Sequence, residues 1–197
     1  MGDLSWHEIK KSLKWFWWFV WDGDSWASWI VSVILAFVVV KFIIYPVLGF
    51  VLGTSLPVVA VVSGSMEHNG LGFDGWWEAN GVWYEANGIG KGDMAMYRFR
   101  NGFNKGDIII LFGVEPKAIK RGMVIVYSTA RYKYPIIHRV VDSGEDGGML
   151  RFETKGDNNG QSDPGMVPSE NVMGRAVLKI PYLGWIKLVF TGLIGGS

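Results

Sequence analysis

The chain has 197 residues, with 19 basic and 18 acidic side chains and a formal net charge of +1 at neutral pH. No stretch concentrates lysine and arginine among aromatic residues, so we expect no nucleic-acid partner. Cysteine is absent, which excludes disulfides, cysteine nucleophiles and thiolate metal sites. The chain has only three histidines, far apart in sequence, and we therefore expect neither a metal site nor a cofactor.

Aromatic side chains crowd the N-terminal end. Most of the 11 tryptophans fall there, at Trp6, Trp15, Trp17, Trp18, Trp21, Trp26 and Trp29. Indole rings favour the headgroup layer of a membrane. Residues 1–24 mix these rings with charges too closely for a membrane span, so we interpret them as a cytoplasmic, interfacial helix. A poorly ordered tail is the alternative.

An apolar run, WASWIVSVILAFVVVKFIIYPVLGFVLG, begins at Trp26. It predicts one transmembrane helix over residues 25–44, since a span needs about 20 residues. Lys41 is tolerable near the end of the span, where its ammonium reaches the headgroups. Pro46 and Gly49 follow and predict that the regular helix stops there. A cleavable secretory signal is the competing interpretation, but this run is longer and starts later than a signal core.

Lysines precede the span at positions 10, 11 and 14. Positive charge on one side of a span indicates the cytoplasmic side. We therefore expect a single-pass protein of the cell membrane, with a cytoplasmic N-terminus and everything after the helix outside the cytoplasm.

Beyond residue 58 the chain becomes a series of short β-branched runs between glycine and asparagine turns. The runs read DIIILFGV, MVIVYS, PIIHRVVDS, MLRFETKG and VMGRAVLKI, which predicts the strands of a mainly β domain over residues 58–180. Helix periodicity is not apparent there, and we interpret residues 69–104 as a glycine- and tryptophan-rich insertion. The apolar C-terminal segment, residues 181–197, could lie in the membrane interface or pack on the domain.

The segment VAVVSGSMEHNG, residues 59–70, places two serines just after the apolar helix. A serine hydroxyl becomes a nucleophile only beside a base. His138, in the run PIIHRVVD, is the candidate base, although an isolated histidine in a strand is more often an ordinary buried side chain. Its neighbour Arg139 adds a second polar residue to an apolar run and weakens that alternative.

Two aspartates in TKGDNNGQSDPG, Asp157 and Asp163, complete the candidate set. The stretch is also a strong turn signal, which by itself explains Asp157. It fails as an EF-hand calcium loop, because Ser162 and Pro168 stand where glycine and glutamate are required. The serine lacks the context of an α/β-hydrolase elbow, since Glu67 replaces the last glycine.

In order along the chain come an apolar helix and then SGSM, GDIIIL, IIHRVVD and TKGDNN followed by SD. This order resembles type I signal peptidases of the archaeal and endoplasmic-reticulum branch, over about residues 30–185. The resemblance implies a signal-peptidase-like β catalytic domain on an N-terminal transmembrane helix. It also implies Ser65 as the nucleophile and His138, in place of a lysine, as the general base.

The resemblance places essential aspartates at Asp157 and Asp163, and a hydroxyl that stabilises the oxyanion at Ser63. Between the aspartates, we expect Asp163 to pair with His138. We expect Asp157 to hold its turn by accepting backbone N–H bonds.

The sequence departs from the pattern in three places. In the family, proline is common where this chain has His68, and the first strand motif, here GDIIIL, follows the serine motif without an insertion like residues 69–104. A later strand starts with GD in the family, where this chain has Gly122 and Met123. We expect none of these to touch the proposed catalytic groups, while the insertion affects the shape of the substrate groove.

The function implied is removal of signal peptides from secretory preproteins after small residues, at the outer membrane face. The partners implied are signal peptides, membrane lipid and, as a further candidate, the secretion translocon. Two alternatives stay open. One is another membrane-anchored serine hydrolase, and the other is a non-catalytic anchored β domain that binds its partners through tryptophans.

Overall fold

The computed structural model describes residues 6–185. The chain divides into two units, one up to Leu48 and one from Gly49. The first unit opens with helix α1 (Trp6–Asp22), which covers most of the predicted interfacial segment. The Ser25 side chain then caps the next helix, α2 (Trp26–Val39), by accepting a hydrogen bond from the Ser28 N–H.

The apolar helix extends further than the sequence predicted. A π-helical turn, Val40–Ile44, follows α2 and leads directly into α3 (Tyr45–Leu52). The continuous helix from Trp26 to Leu52 has the length and composition to cross a membrane. The prediction that it stops near residue 44 is therefore wrong.

The π turn explains how the helix passes Pro46. Proline has no N–H to donate, and its ring would clash with a carbonyl of the preceding turn. At the end of the π turn the Tyr45 N–H donates to the Val40 oxygen. This wider turn makes room for the ring just before the proline, as π-bulges do elsewhere.

The second unit contains a seven-stranded antiparallel sheet in the order β1-β2-β7-β3-β4-β5-β6. The strands are β1 (Val58–Ala60), β2 (Ile108–Phe112), β3 (Val124–Thr129), β4 (Tyr132–Asp146), β5 (Met149–Lys155), β6 (Val167–Pro168) and β7 (Val172–Ile180). Each of the five β-branched runs forms a strand, so the predicted mainly β domain is confirmed. Short 3₁₀ turns lie at Pro116–Ala118 and Ser169–Asn171.

The insertion is helical, contrary to the expectation of no helix beyond residue 58. It forms α4 (Phe73–Ala86) and α5 (Lys91–Met96). Aromatic side chains of α4 are buried, namely Trp76, Trp77 and Tyr84, and they pack in one cluster with Ile89, Met94 and Val141 of β4. Tertiary packing thus stabilises a helix whose glycines and asparagine would otherwise disfavour it.

The predicted C-terminal segment, residues 181–197, is described only as far as residue 185. Its first part contacts the β domain, because the Gly184 N–H donates to the Gly106 oxygen and the Tyr182 N–H to Asp107 Oδ1. Residues 186–197 lie outside the described part of the chain, as do residues 1–5 at the other end.

Candidate active site

The two candidate serines lie on the loop that follows edge strand β1. The Oγ atoms of Ser63 and Ser65 are 3.2 Å apart. Met66, the next residue, is fully buried in the core, and the Glu67 N–H closes a turn on the Gly64 oxygen at 3.0 Å. Because the core holds Met66, the Ser65 side chain is kept at the surface of the loop, partly accessible to solvent.

His138 lies in β4 opposite Ile125 of β3, and it is buried. Its Nδ1 atom is 2.6 Å from Asp163 Oδ2. A carboxylate can only accept, so Nδ1 carries the hydrogen and donates it. The other ring nitrogen, Nε2, is then the one that can accept a proton.

Asp163 accepts three hydrogen bonds on the same oxygen, Oδ2. Besides His138, the Thr154 hydroxyl donates at 2.7 Å and the Tyr127 hydroxyl at 2.9 Å. Burial by itself would raise the pKa of Asp163, but these donors, with His138 the largest contributor, lower the pKa below its ordinary value. The carboxyl group is therefore ionised at neutral pH.

A cavity of about 650 Å³ brings the candidate residues together. Ser63, Ser65, His138 and Asp163 all line it. The remaining walls are largely apolar and include Val59, Val61, Tyr127, Ile136, Met166 and Val167. A hydroxyl, an imidazole oriented by a carboxylate and an apolar cleft are what a serine hydrolase requires.

Asp157 does not contact His138 and belongs to a separate buried cluster. Arg139 Nε donates to its Oδ1 at 2.9 Å and Nη2 to its Oδ2 at 2.7 Å. The Tyr84 hydroxyl and His68 Nε2 lie 3.1 and 3.3 Å from its two oxygens. Burial would raise the pKa of Asp157, but the Arg139 guanidinium, helped by His68, holds it well below the usual carboxyl range.

Two expectations about this region are wrong. Side chains, rather than the backbone N–H groups that we expected, supply the hydrogen bonds of the Asp157 carboxylate. The departures at His68 and in the insertion also reach this candidate residue. His68 stacks on Trp76 of α4, with ring centroids 4.1 Å apart, and Tyr84 of α4 donates to Asp157. The third departure, at Gly122, contacts the same cluster, since its oxygen accepts from Arg139.

Sequence reasoning missed Tyr127, Thr154, Tyr84 and Lys155. Lys155 is buried beneath Tyr84 and Trp83, with Nζ 4.6 and 5.1 Å from their ring centroids. Burial lowers the pKa of Lys155 to about 8, although Asp157 and Asp163 partly offset the effect. The sequence of β5 could have indicated two of these residues. Thr154 and Lys155 are adjacent and polar, and adjacent residues of a strand face opposite sides of the sheet, so each face carries one polar side chain there.

Within residues 6–185, no group of three or more histidine or acidic side chains is placed to hold a metal ion. The side chains that line the cavity are of the types that a serine hydrolase with a histidine base uses.

Comparison with known proteins gives a more particular likeness. The human signal peptidase complex catalytic subunit SEC11C is 33% identical over 95 residues, which are 44% of this chain and 50% of that protein. The SEC11 subunit of Scheffersomyces stipitis is 26% identical over 158 residues, 76% of this chain and 75% of that protein. That of Verticillium alfalfae is 25% identical over 171 residues, 78% and 81%.

The chain spans about half the length of the mammalian relatives that it matches. No family model matches it. The relatives are signal peptidase complex catalytic subunits, and this chain is similar to them in sequence.

Proposed function

We propose that this chain is a membrane-bound serine endopeptidase that removes signal peptides from secretory preproteins. The observation that carries the proposal is the His138–Asp163 pair, with 2.6 Å between Nδ1 and Oδ2, in a cavity that Ser65 also lines. The similarity to signal peptidase catalytic subunits supplies the substrate class.

In this proposal the Ser65 Oγ attacks the scissile carbonyl while His138 Nε2 accepts the hydroxyl proton. The C–N bond then breaks, His138 delivers the proton to the leaving amine, and an acyl-enzyme remains. Water, deprotonated by His138, hydrolyses the acyl-enzyme and regenerates Ser65. Asp163, ionised and bonded to Nδ1, stabilises the imidazolium during both steps.

The developing oxyanion requires hydrogen-bond donors aimed at it. The Ser65 backbone N–H and the Ser63 hydroxyl are the donors we propose. Their suitability is supported by the 3.2 Å between the two Oγ atoms, which keeps the second hydroxyl within reach of the reacting carbon.

The edge of the sheet supports binding of an extended peptide. β1 is the terminal strand and pairs on one side, with β2. Residues Val59 to Val62 line the cavity, so a substrate strand added there would present alternate side chains to it. We propose that the first and third residues before the cut are small and face these walls together.

The apolar helix is proposed to cross the cell membrane once. The N-terminus would be cytoplasmic, because lysines precede the span, and the β domain would lie outside the cytoplasm. Its partners would then be signal peptides, membrane lipid and the secretion translocon.

A substrate panel tests this function against the two rivals. The purified full chain in detergent is incubated with a secretory precursor, with the same precursor carrying leucine at the first or third position before the cut, and with a lipid ester. Cleavage of the parent precursor alone supports the proposal. Cleavage that tolerates leucine, or ester hydrolysis without peptide cleavage, favours another serine hydrolase. Failure of a serine-reactive probe to label Ser65 favours a binding domain.

A further inference from the structure

Asn158 connects the loop that carries the serines to the loop that carries the aspartates. Its side-chain Nδ2 donates to the Gly64 oxygen at 3.0 Å, and its backbone N–H donates to the Ser65 oxygen at 2.8 Å. One residue thus binds the two successive carbonyl groups on either side of the Ser65 Cα.

The approach of the two loops is close. A Cβ added at Gly156 would lie 2.7 Å from the Ser65 oxygen, so glycine there permits the contact. The Asn158 side chain is also held in one orientation, because its Oδ1 accepts from Asn69 Nδ2 at 3.1 Å. With Oδ1 occupied in this way, Nδ2 is directed at Gly64.

The first of these carbonyls has chemical significance. The Gly64 oxygen and the Ser65 N–H belong to one planar, trans peptide group, and they point in opposite directions. A donor bound to the oxygen therefore fixes the direction of the N–H and polarises it. The local turn from Glu67 also binds this oxygen, but Asn158 ties the peptide group to the loop that bears Asp163.

We propose that Asn158 is a positioning residue for the oxyanion donor, which it aligns by holding the Gly64–Ser65 peptide group. The inference rests on the proposed function, in which the Ser65 N–H stabilises the oxyanion. Its effect is exerted on the transition state rather than on bound substrate, and loss of the side chain lowers kcat without raising KM. Misdirecting one donor costs roughly 10- to 100-fold, less than the 10² to 10³ for removing a donor outright.

The test compares Asn158→Ala and Asn158→Asp with Asn69→Gly as the matched control. Asn158→Asp keeps the size of the side chain and removes its donor. Asn69→Gly removes the other side-chain hydrogen bond of Asn158, and glycine suits the positive φ of 52° at that position. Peptide cleavage, melting temperature and the rate at which a fluorophosphonate probe labels Ser65 are measured for each protein.

We expect both Asn158 variants to lose kcat and labelling rate together, with KM and the shape of the pH profile unchanged. Asn69→Gly, which loses the contact that orients the side chain but keeps the Asn158 donor, should lose less than either. An unchanged kcat, a raised KM, or an equal loss in Asn69→Gly would overturn the inference. If Asn158→Ala melts too low to assay, Asn158→Asp decides. If the parent cleaves no peptide the proposed function fails, and the labelling rates still test Asn158 alone.

Discussion

His138 Nδ1 lies 2.6 Å from Asp163 Oδ2, and the same oxygen accepts from Tyr127 and Thr154. Three donors on one oxygen fix the carboxylate, and the carboxylate fixes the imidazole. The hydrogen on Nδ1 leaves Nε2 as the only nitrogen that can act as a base. The two aspartates therefore have different partners, because Asp157 contacts Arg139 instead of His138.

Asp163→Asn should lose activity with little loss of stability. The three converging donors would hold the amide oxygen where Oδ2 lies, so the imidazole keeps its tautomer while the negative charge is lost. We expect a rate loss of about 10² to 10⁴, up to the value for the equivalent change in serine proteases. Steady-state kinetics and thermal melting check this, and a melting temperature lowered as much as in Asp157→Asn would contradict it.

Asp157→Asn should mainly lose stability. Neutralising one partner of a buried ion pair costs about 3 to 5 kcal/mol, or roughly 6 to 20 °C in melting temperature for a chain of this size. The lowered pKa of Asp157 means that its contribution is complete above about pH 4 and is lost as the pH falls through the folded-state value. The melting temperature should therefore fall less between pH 6 and pH 3 in the variant than in the parent. Equal losses would argue against the pairing.

Ser63→Ala should reduce kcat by roughly 10² to 10³, the usual cost of one oxyanion donor. The Ser63 and Ser65 Oγ atoms are 3.2 Å apart, so either hydroxyl is a candidate nucleophile by position, and the outcome distinguishes between them. Comparing acyl-enzyme formation in Ser63→Ala and Ser65→Ala checks the assignment. An acyl-enzyme that persists in Ser65→Ala and vanishes in Ser63→Ala would exchange their roles.

Lys155→Met should flatten the alkaline pH dependence of stability. The folded chain releases the Lys155 proton near pH 8, whereas the unfolded chain holds it to about pH 10.4. Between these values only the unfolded chain binds the proton, so raising the pH stabilises the fold, by about 3 kcal/mol at most. Melting at pH 7 and pH 10 measures the gain in each protein. An equal gain in both would show that Lys155 titrates normally.

The sequence allowed the β domain to be predicted well because its strands are short β-branched runs between clear turns. The pairing of His138 with Asp163 was also predicted, on the ground that Asp163 follows the turn and can reach another strand. The strands followed from local residue chemistry, whereas the candidate site residues came from the resemblance to signal peptidases, and sequence alone could not rank the two aspartates.

The remaining features depend on contacts between distant segments. Helix α4 contains Gly75 and Gly81, and it is stabilised by buried aromatic rings that local propensity does not register. The Arg139–Asp157 pair joins a strand residue to a loop residue beneath that helix. Because the helix was not predicted, the position of the pair could not be predicted either. Pro46 likewise predicted a helix end. The helix continues through a π turn, and this turn has no simple sequence signature from which the continuation could be predicted.

Cleavage of a secretory precursor by the parent and by Ser65→Ala tests the central claim most directly. Both proteins are purified as full chains in detergent, and equal melting temperatures show that the variant is folded. Each is incubated with the same precursor, and the new N-terminus is read by mass spectrometry. We predict one cut after a small residue at the end of the signal peptide, and a rate in Ser65→Ala lower by on the order of 10⁴ to 10⁶. An equal rate of cleavage in the two proteins would contradict the account.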